Sequence, residues 1–224
     1  MSVFFVTGTD TEVGKTYVSS LLLQAAASVG KRTVGYKPVS AGCEFINGEW
    51  SNEDARALQN ASSIEVSLQD VNPIALKPPI APHIAAKQAG LEITQQNIIA
   101  GFEHLVAKQP DFMLVEGAGG WRLPLSSSLW MPEVVKALKL DVIVVVGMRL
   151  GCLNHAMLTI DAIQRDGLKV KGWVANQLSA QMPVYQDNLN TLKGAISAPL
   201  IAEIPFSQSV EALQRIIHRM EVLA

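Results

Sequence analysis

The tightest constraint on this chain lies in nine residues, Gly8-Thr9-Asp10-Thr11-Glu12-Val13-Gly14-Lys15-Thr16. They follow an apolar run, Val3-Phe4-Phe5-Val6, of the kind that forms a buried strand. They precede Val18, Leu21, Leu22, Ala25, Ala26 and Val29, apolar residues at helical spacing. Strand, glycine-bearing loop ending in Gly-Lys-Thr, then helix is the setting that a phosphate-binding loop requires. Loop N–H groups and the positive helix end surround phosphate oxygens. Lys15 brings a mobile charge to the terminal phosphates, and the Thr16 hydroxyl can ligate Mg²⁺. The usual G-x-x-x-x-G-K-[ST] spacing puts a glycine where this chain has Thr9, and Gly8 falls one residue early. A plain glycine turn beside a surface lysine is the bland alternative, and the whole strand-loop-helix setting favours nucleotide binding over it.

Beyond the loop, short apolar runs alternate with helical patterns. Strands are expected over 33–37, 112–115, 142–146, 172–176 and 199–204, the β-branched run at 142–146 being of the type buried on both faces. Helices are expected over 153–165 and around Leu213, Ile216, Ile217 and Met220. Such alternation predicts an α/β fold, a three-layer sandwich whose mostly parallel sheet carries helices on both faces. Residues 40–90 differ. Turn formers, Pro73, Pro78, Pro79 and Pro82 and only short helical stretches, such as 52–60, read as an insertion over the sheet's C-terminal edge. A length of 224 residues with 49% hydrophobic content suits one domain, 1–224. A net charge of −2, without a dense basic block, argues against nucleic acid as the main partner. The run at 142–148 is far short of the ~20 residues of a membrane span, and the N-terminal stretch lacks the basic flank of a signal peptide. Cys43 and Cys152 fit no disulfide framework or CxxC metal site, which suits a reducing, cytoplasmic setting.

In an open α/β sheet, ligands gather at the carboxyl ends of the strands. The polar residues there are Lys37 and nearby Ser40, Glu116 before a Gly-rich turn, the segment from Arg149 to His155, Asn176-Gln177, and the backbone at Pro205. Each has an ordinary alternative: Lys37 as a solvated strand end, Glu116 as a turn cap, His155 as a packed histidine, Asp54 as a first-turn acid. Their convergence around one phosphate loop is what favours a site.

Together the segments resemble the dethiobiotin synthetase family, whose fold is of the P-loop NTPase type. The resemblance rests on F-V-T-G-T-D-T-E-V-G-K-T at 5–16, G-Y-K-P-V at 35–39, V-N-P at 71–73, A-P-H-I-A-A at 81–86, V-E-G-A-G-G-W at 115–121, G-C-L-N-H-A-M-L-T at 151–159 and G-W-V-A-N at 172–176. The shifted glycine is the family's own loop variant. It implies an ATP-dependent cyclo-ligase that makes dethiobiotin from 7,8-diaminononanoate and CO₂, in a homodimer. It further implies Lys15 and Lys37 as catalytic groups and Thr16, Asp54 and Glu116 as holders of Mg²⁺. Nucleotide contacts would come from Glu12, Val13, Gly14, Lys15, Thr16, Asp54, Glu116, Gly117, Ala118, Gly119, Asn176, Gln177 and Pro205. Thr11 would lie beside a substrate carbamate. A serine that the family commonly places after strand two falls at Ala41, with Ser40 just before it, so either Ser40 takes the role or the contact is lost. The substrate carboxylate would be held by Gly151, Cys152, Leu153 and Asn154, with Tyr185 as a candidate from the partner subunit. Gln177 stands where an acidic residue is frequent. Three rivals fit less well. A partitioning-type ATPase carries a signature lysine where this chain has Asp10, and a glutamine-dependent amidotransferase usually carries a glutaminase domain. A non-catalytic nucleotide module would have no need of Lys37, Asp54 and Glu116 together.

Overall fold

The structure, a computed structural model, describes residues 1–46, 48–207 and 209–223. Six strands form one sheet: β1 (Ser2–Gly8), β2 (Thr33–Tyr36), β7 (Phe112–Glu116), β8 (Asp141–Met148), β9 (Val170–Gln177) and β10 (Leu200–Ile204), with β3 to β6 lying in the insertion between β2 and β7. Their order is β10-β9-β8-β1-β7-β2, and every pairing is parallel. All six strands expected from the sequence are present. Val142 to Val146 are fully buried, as a strand covered on both faces requires.

Helix α1 (Lys15–Ser28) follows β1 and packs on β2, β7 and α2 (Glu53–Ala61), and against α9 (Ser209–Ile217). From β1 the chain moves toward β2, whereas from β8 it moves the other way, through α7 (Cys152–Arg165), to β9. Right-handed crossovers therefore place α7 on the opposite face, with α5 (Gln95–Val106), α6 (Met131–Ala137) and α8 (Tyr185–Ala195). The connections from the neighbouring strands β1 and β8 thus diverge, which makes their carboxyl ends a topological switch point. A short 3₁₀ turn, Met220–Leu223, follows α9.

The insertion holds paired strands β3 (Val39–Ser40) and β6 (Ile74–Ala75), a hairpin of β4 (Glu44–Ile46) and β5 (Glu49–Ser51), α2, and the short helices α3 (Leu68–Val71) and α4 (Pro82–Gln88). It is richer than the few short helical stretches the sequence suggested. Short two- and three-residue strands carry too little periodicity to be read in advance. Local caps explain several helix starts. Asn52 accepts from the Asp54 N–H, Thr94 from that of Asn97, and Ser67 and Asp70 form a capping box. Helices α1 and α7 are different: Gly14 and Gly151 occupy their N-cap positions, with no side-chain cap and no acid in the first turn. Apart from the Cys152 N–H of α7, which donates to the Arg149 carbonyl, their first N–H groups are left for an external acceptor. Among the described residues, no helix is long and apolar enough to cross a membrane.

Candidate active site

The loop after β1 is held in shape from below. The Gly14 backbone is left-handed (φ 83°), and a Cβ there would lie 2.2 Å from the Asn176 side-chain nitrogen, so only glycine fits. That same nitrogen donates to the Val13 carbonyl at 2.9 Å. Asn176 thus fastens the loop with one amide hydrogen and keeps its other hydrogen and its oxygen for another partner. Val13 itself is buried beneath the loop, while Glu12 sits at φ 58°, an uncommon conformation for a residue with a side chain. The Lys15 ammonium donates to the Asp10 carbonyl at 3.2 Å, curling over the loop. Burial, and next the Lys37 charge, lower the Lys15 pKa to about 8.

Lys37 stands one residue beyond β2, where the sequence pattern would have kept it in the strand. Pro38 cannot donate to a ladder, and the Lys37 N–H turns to the Val71 carbonyl at 2.8 Å. The Lys37 side chain is fully buried, with its ammonium 2.6 Å from Glu116 Oε1, 2.9 Å from Asp54 Oδ2 and 3.2 Å from the Gly117 carbonyl. Burial alone would depress its pKa, but the Glu116 and Asp54 carboxylates outweigh that and raise it. Burial likewise opposes the Asp54 charge, and Lys37 overcomes this to lower the Asp54 pKa. The Thr16 hydroxyl donates to the same Glu116 oxygen at 2.7 Å. The other oxygen, Oε2, is buried with no hydrogen-bond partner among the described residues.

These groups open onto a cleft of about 910 Å³. Of the residues expected at the site, Thr11, Glu12, Gly14, Lys15, Thr16, Lys37, Ser40, Ala41, Asp54, Ala118 and Gly119 line it. Glu116 and Gly117 lie beneath, tied to it through Lys37. Asn176, Gln177 and Pro205 line a separate hollow of about 420 Å³. Tyr17 borders both spaces and was not picked out from the sequence; its place directly after Thr16 was the available signal. The insertion contributes Asn52, Glu53 and residues 79–82, whose proline-rich character marked a turn but not a wall.

Ser40 does not present a free hydroxyl. It donates to Asn72 Oδ1 at 2.6 Å and lies 3.1 Å from the Cys43 sulfur, while Asn72 donates to the Lys37 carbonyl at 2.6 Å. Ser40 and Asn72 therefore brace the backbone of Lys37, and the neighbouring cleft position is the methyl of Ala41. Asn72, in the V-N-P segment, is a functional residue that sequence reasoning passed over. Gly151, Cys152, Leu153 and Asn154 do not line the cleft of the single chain: Cys152 is buried, and Asn154 is exposed at the start of α7. Tyr185, a candidate contact from a partner subunit by the resemblance, has its hydroxyl inside its own chain. That hydroxyl is buried, and burial followed by the nearby Glu203 charge raises its pKa. Both cysteines are free and buried.

A phosphate loop, a switch-point cleft and a buried Lys-carboxylate cluster on a parallel sheet define the class of nucleoside-triphosphate-binding α/β proteins. Accordingly, a family model described as an AAA domain matches residues 2–214. Among solved structures, the chain is similar to a MinC:MinD cell division protein complex from Aquifex aeolicus (TM-score 0.60, 16% identity, 99% of this chain and 96% of that one). It is also similar to a ParA family ATPase from Chlorobium tepidum (TM-score 0.55, 16% identity, 99% and 91%); at such identity these likenesses show the fold alone. The sequence relatives are more specific. The ATP-dependent dethiobiotin synthetase BioD of Alteromonas mediterranea is 54% identical over 95% of both chains. That of Cellvibrio japonicus is 50% identical over 90% of this chain and 88% of its own. The chain belongs to the ATP-dependent dethiobiotin synthetase family.

Proposed function

We propose that residues 1–224 act as one catalytic unit that closes the cyclic urea of dethiobiotin from 7,8-diaminononanoate, CO₂ and ATP. One amine adds to CO₂ and loses a proton, giving a carbamate. A carbamate oxygen then attacks the γ-phosphorus, ADP leaves, and a carbamic-phosphoric anhydride results. The second amine attacks the carbonyl carbon, phosphate leaves, and the ring closes with loss of a proton. The observation that carries this reading is the Lys37 ammonium. It is fully buried at the cleft wall, held by Glu116 and Asp54, in the same cleft as Lys15. Carbamate and triphosphate together bring several negative charges into one small space. The two lysines supply the stabilisation that phosphoryl transfer needs most.

Thr11, at the cleft, would hold the carbamate, and the uncapped start of α1 would take the phosphates. Asn176, Gln177 and the backbone at Pro205 would take the base. The chemistry of Thr16, Glu116 and Asp54 fits Mg²⁺. All three offer oxygen, and among the described residues Glu116 Oε2 is buried without a partner and no group of three His, Cys, Asp or Glu side chains forms a full cage. Mg²⁺ commonly takes one or two carboxylates and completes its shell with phosphate and water. When bound, the ion supplies charge neutralisation at the β- and γ-phosphates. The start of α7, uncapped and set apart from the phosphate loop, would receive the substrate carboxylate away from the triphosphate. A second copy of the chain would close that end of the site as a homodimer. The two free, buried thiols suit a cytoplasmic setting.

The test is phosphate release from ATP with each component omitted in turn. Release is expected only with diamine, bicarbonate and Mg²⁺ all present, together with incorporation of labelled bicarbonate. ATP turnover that ignores the diamine would overturn the proposal.

A further inference from the structure

Asp10 and Arg149 occupy the carboxyl-end exits of neighbouring strands β1 and β8, and their side chains form an ion pair between Asp10 Oδ2 and Arg149 Nη2. Each partner is also tied to one half of the site. The Asp10 carboxylate accepts the Thr11 N–H at 2.8 Å, and the Asp10 carbonyl accepts the Lys15 ammonium at 3.2 Å. The Arg149 carbonyl accepts the Cys152 N–H at 3.0 Å, fixing the first turn of α7. Nearby, the Thr9 N–H donates to the Val145 carbonyl at 3.0 Å, so the two exits are joined by backbone as well.

We infer that the Asp10–Arg149 pair is a positioning brace that couples the phosphate loop to the α7 start, so that occupation of either by its ligand favours the other. This rests on the reading of those two segments as the nucleotide and substrate-carboxylate sites. A ligand that pulls the α7 start toward itself moves the Arg149 carbonyl and, through the guanidinium, Asp10. Asp10 in turn sets the Thr11 N–H and the Lys15 ammonium. The coupling is reciprocal by thermodynamic necessity. Its size is bounded by the pair that carries it. Both side chains are more than two-fifths exposed, so the pair contributes modestly, on the order of a three- to fivefold change in affinity.

The experiment measures binding of the β,γ-methylene analogue of ATP with Mg²⁺ by titration calorimetry, with and without saturating 7,8-diaminononanoate and without bicarbonate. Attraction between the substrate's ammonium groups and the triphosphate persists in every variant, so the readout is the coupling factor relative to the wild-type protein. Arg149→Met and Asp10→Asn are each expected to lower that factor about three- to fivefold, and the double variant no further. Arg149→Lys should retain most of it. Because the pair is half-exposed, all variants should keep the wild-type melting temperature to within a few degrees. An unchanged coupling factor in Arg149→Met, or losses that multiply in the double variant, would overturn the brace. Wild-type protein that binds neither ligand would instead overturn the underlying assignment of the two sites.

Discussion

Replacing Lys37 with Met separates what that lysine does for the fold from what it does for the reaction. Methionine keeps much of the buried stem and removes the charge. Glu116 is fully buried, and in the described structure its Oε1 is held by Lys37 at 2.6 Å and Thr16 at 2.7 Å. Without Lys37, a buried carboxylate loses its counter-ion. Breaking such a pair from one side costs about 3–5 kcal/mol. The Asp54 side chain is 45% exposed, so its share is small, and the lower end, about 3 kcal/mol, is the reasoned figure. For a domain of this size that corresponds to a fall of roughly 6–12 °C in melting temperature. The assay is thermal unfolding of ligand-free protein followed by circular dichroism, for the wild type, Lys37→Met and Lys37→Met/Glu116→Gln. The double variant should regain most of the loss, since the uncompensated charge is gone. Both variants should lose two or more decades in kcat, because the charge at the reacting oxygens is absent from each. A single variant that melts within about 2 °C of the wild type would refute the argument.

Two further outcomes are expected. Lys15, titrating near pH 8 in the free protein, should be driven back to its charged form by phosphate, so ATP affinity should fall as pH rises through 8. Calorimetry at pH 8.5 in buffers of different ionisation enthalpy should then show proton uptake on binding, absent in Lys15→Ala; equal affinities at pH 7 and 9 would contradict this. Asn154→Ala should raise the diamine KM much more than the ATP KM, because Asn154 lies at the start of α7 and does not line the cleft beside the phosphate loop; equal effects on both would remove Asn154 from the substrate site.

The sheet was legible in the sequence because each strand centres on a short, mostly apolar run bounded by turn residues. The phosphate loop was legible because its glycines, lysine and threonine have few other uses in that order. Harder to read was anything produced by the insertion. Asn72 acts on Lys37 across 35 positions and through a backbone carbonyl, and no local pattern announces such a bond. Ser40 looked like a free hydroxyl two positions after Pro38, yet its partners, Asn72 and Cys43, consume it. The α7 start shows the opposite limit. Its uncapped glycine opening is plain in the sequence, but a single chain does not bring it into the cleft.

Lys15 and Lys37 make the same point in terms of charge. Both are buried lysines beyond the carboxyl ends of parallel strands, Lys15 at the start of α1 and Lys37 just after β2, and burial alone would push both toward the neutral form. What separates them is the company each keeps. Lys37 has two carboxylates within 3 Å, so its charge is already matched, its pKa rises and its position is locked. Lys15 has one carbonyl for a partner and the charge of Lys37 close by, so its pKa falls. Lys15 is therefore the under-satisfied cation that gains most when phosphate arrives, and Lys37 is a fixed charge whose geometry is set before any ligand enters. That division of labour follows from Glu116, 79 positions from Lys37, and Asp54 in the first turn of α2. Exchange of the two behaviours by mutation should be possible only by moving the carboxylates, not the lysines.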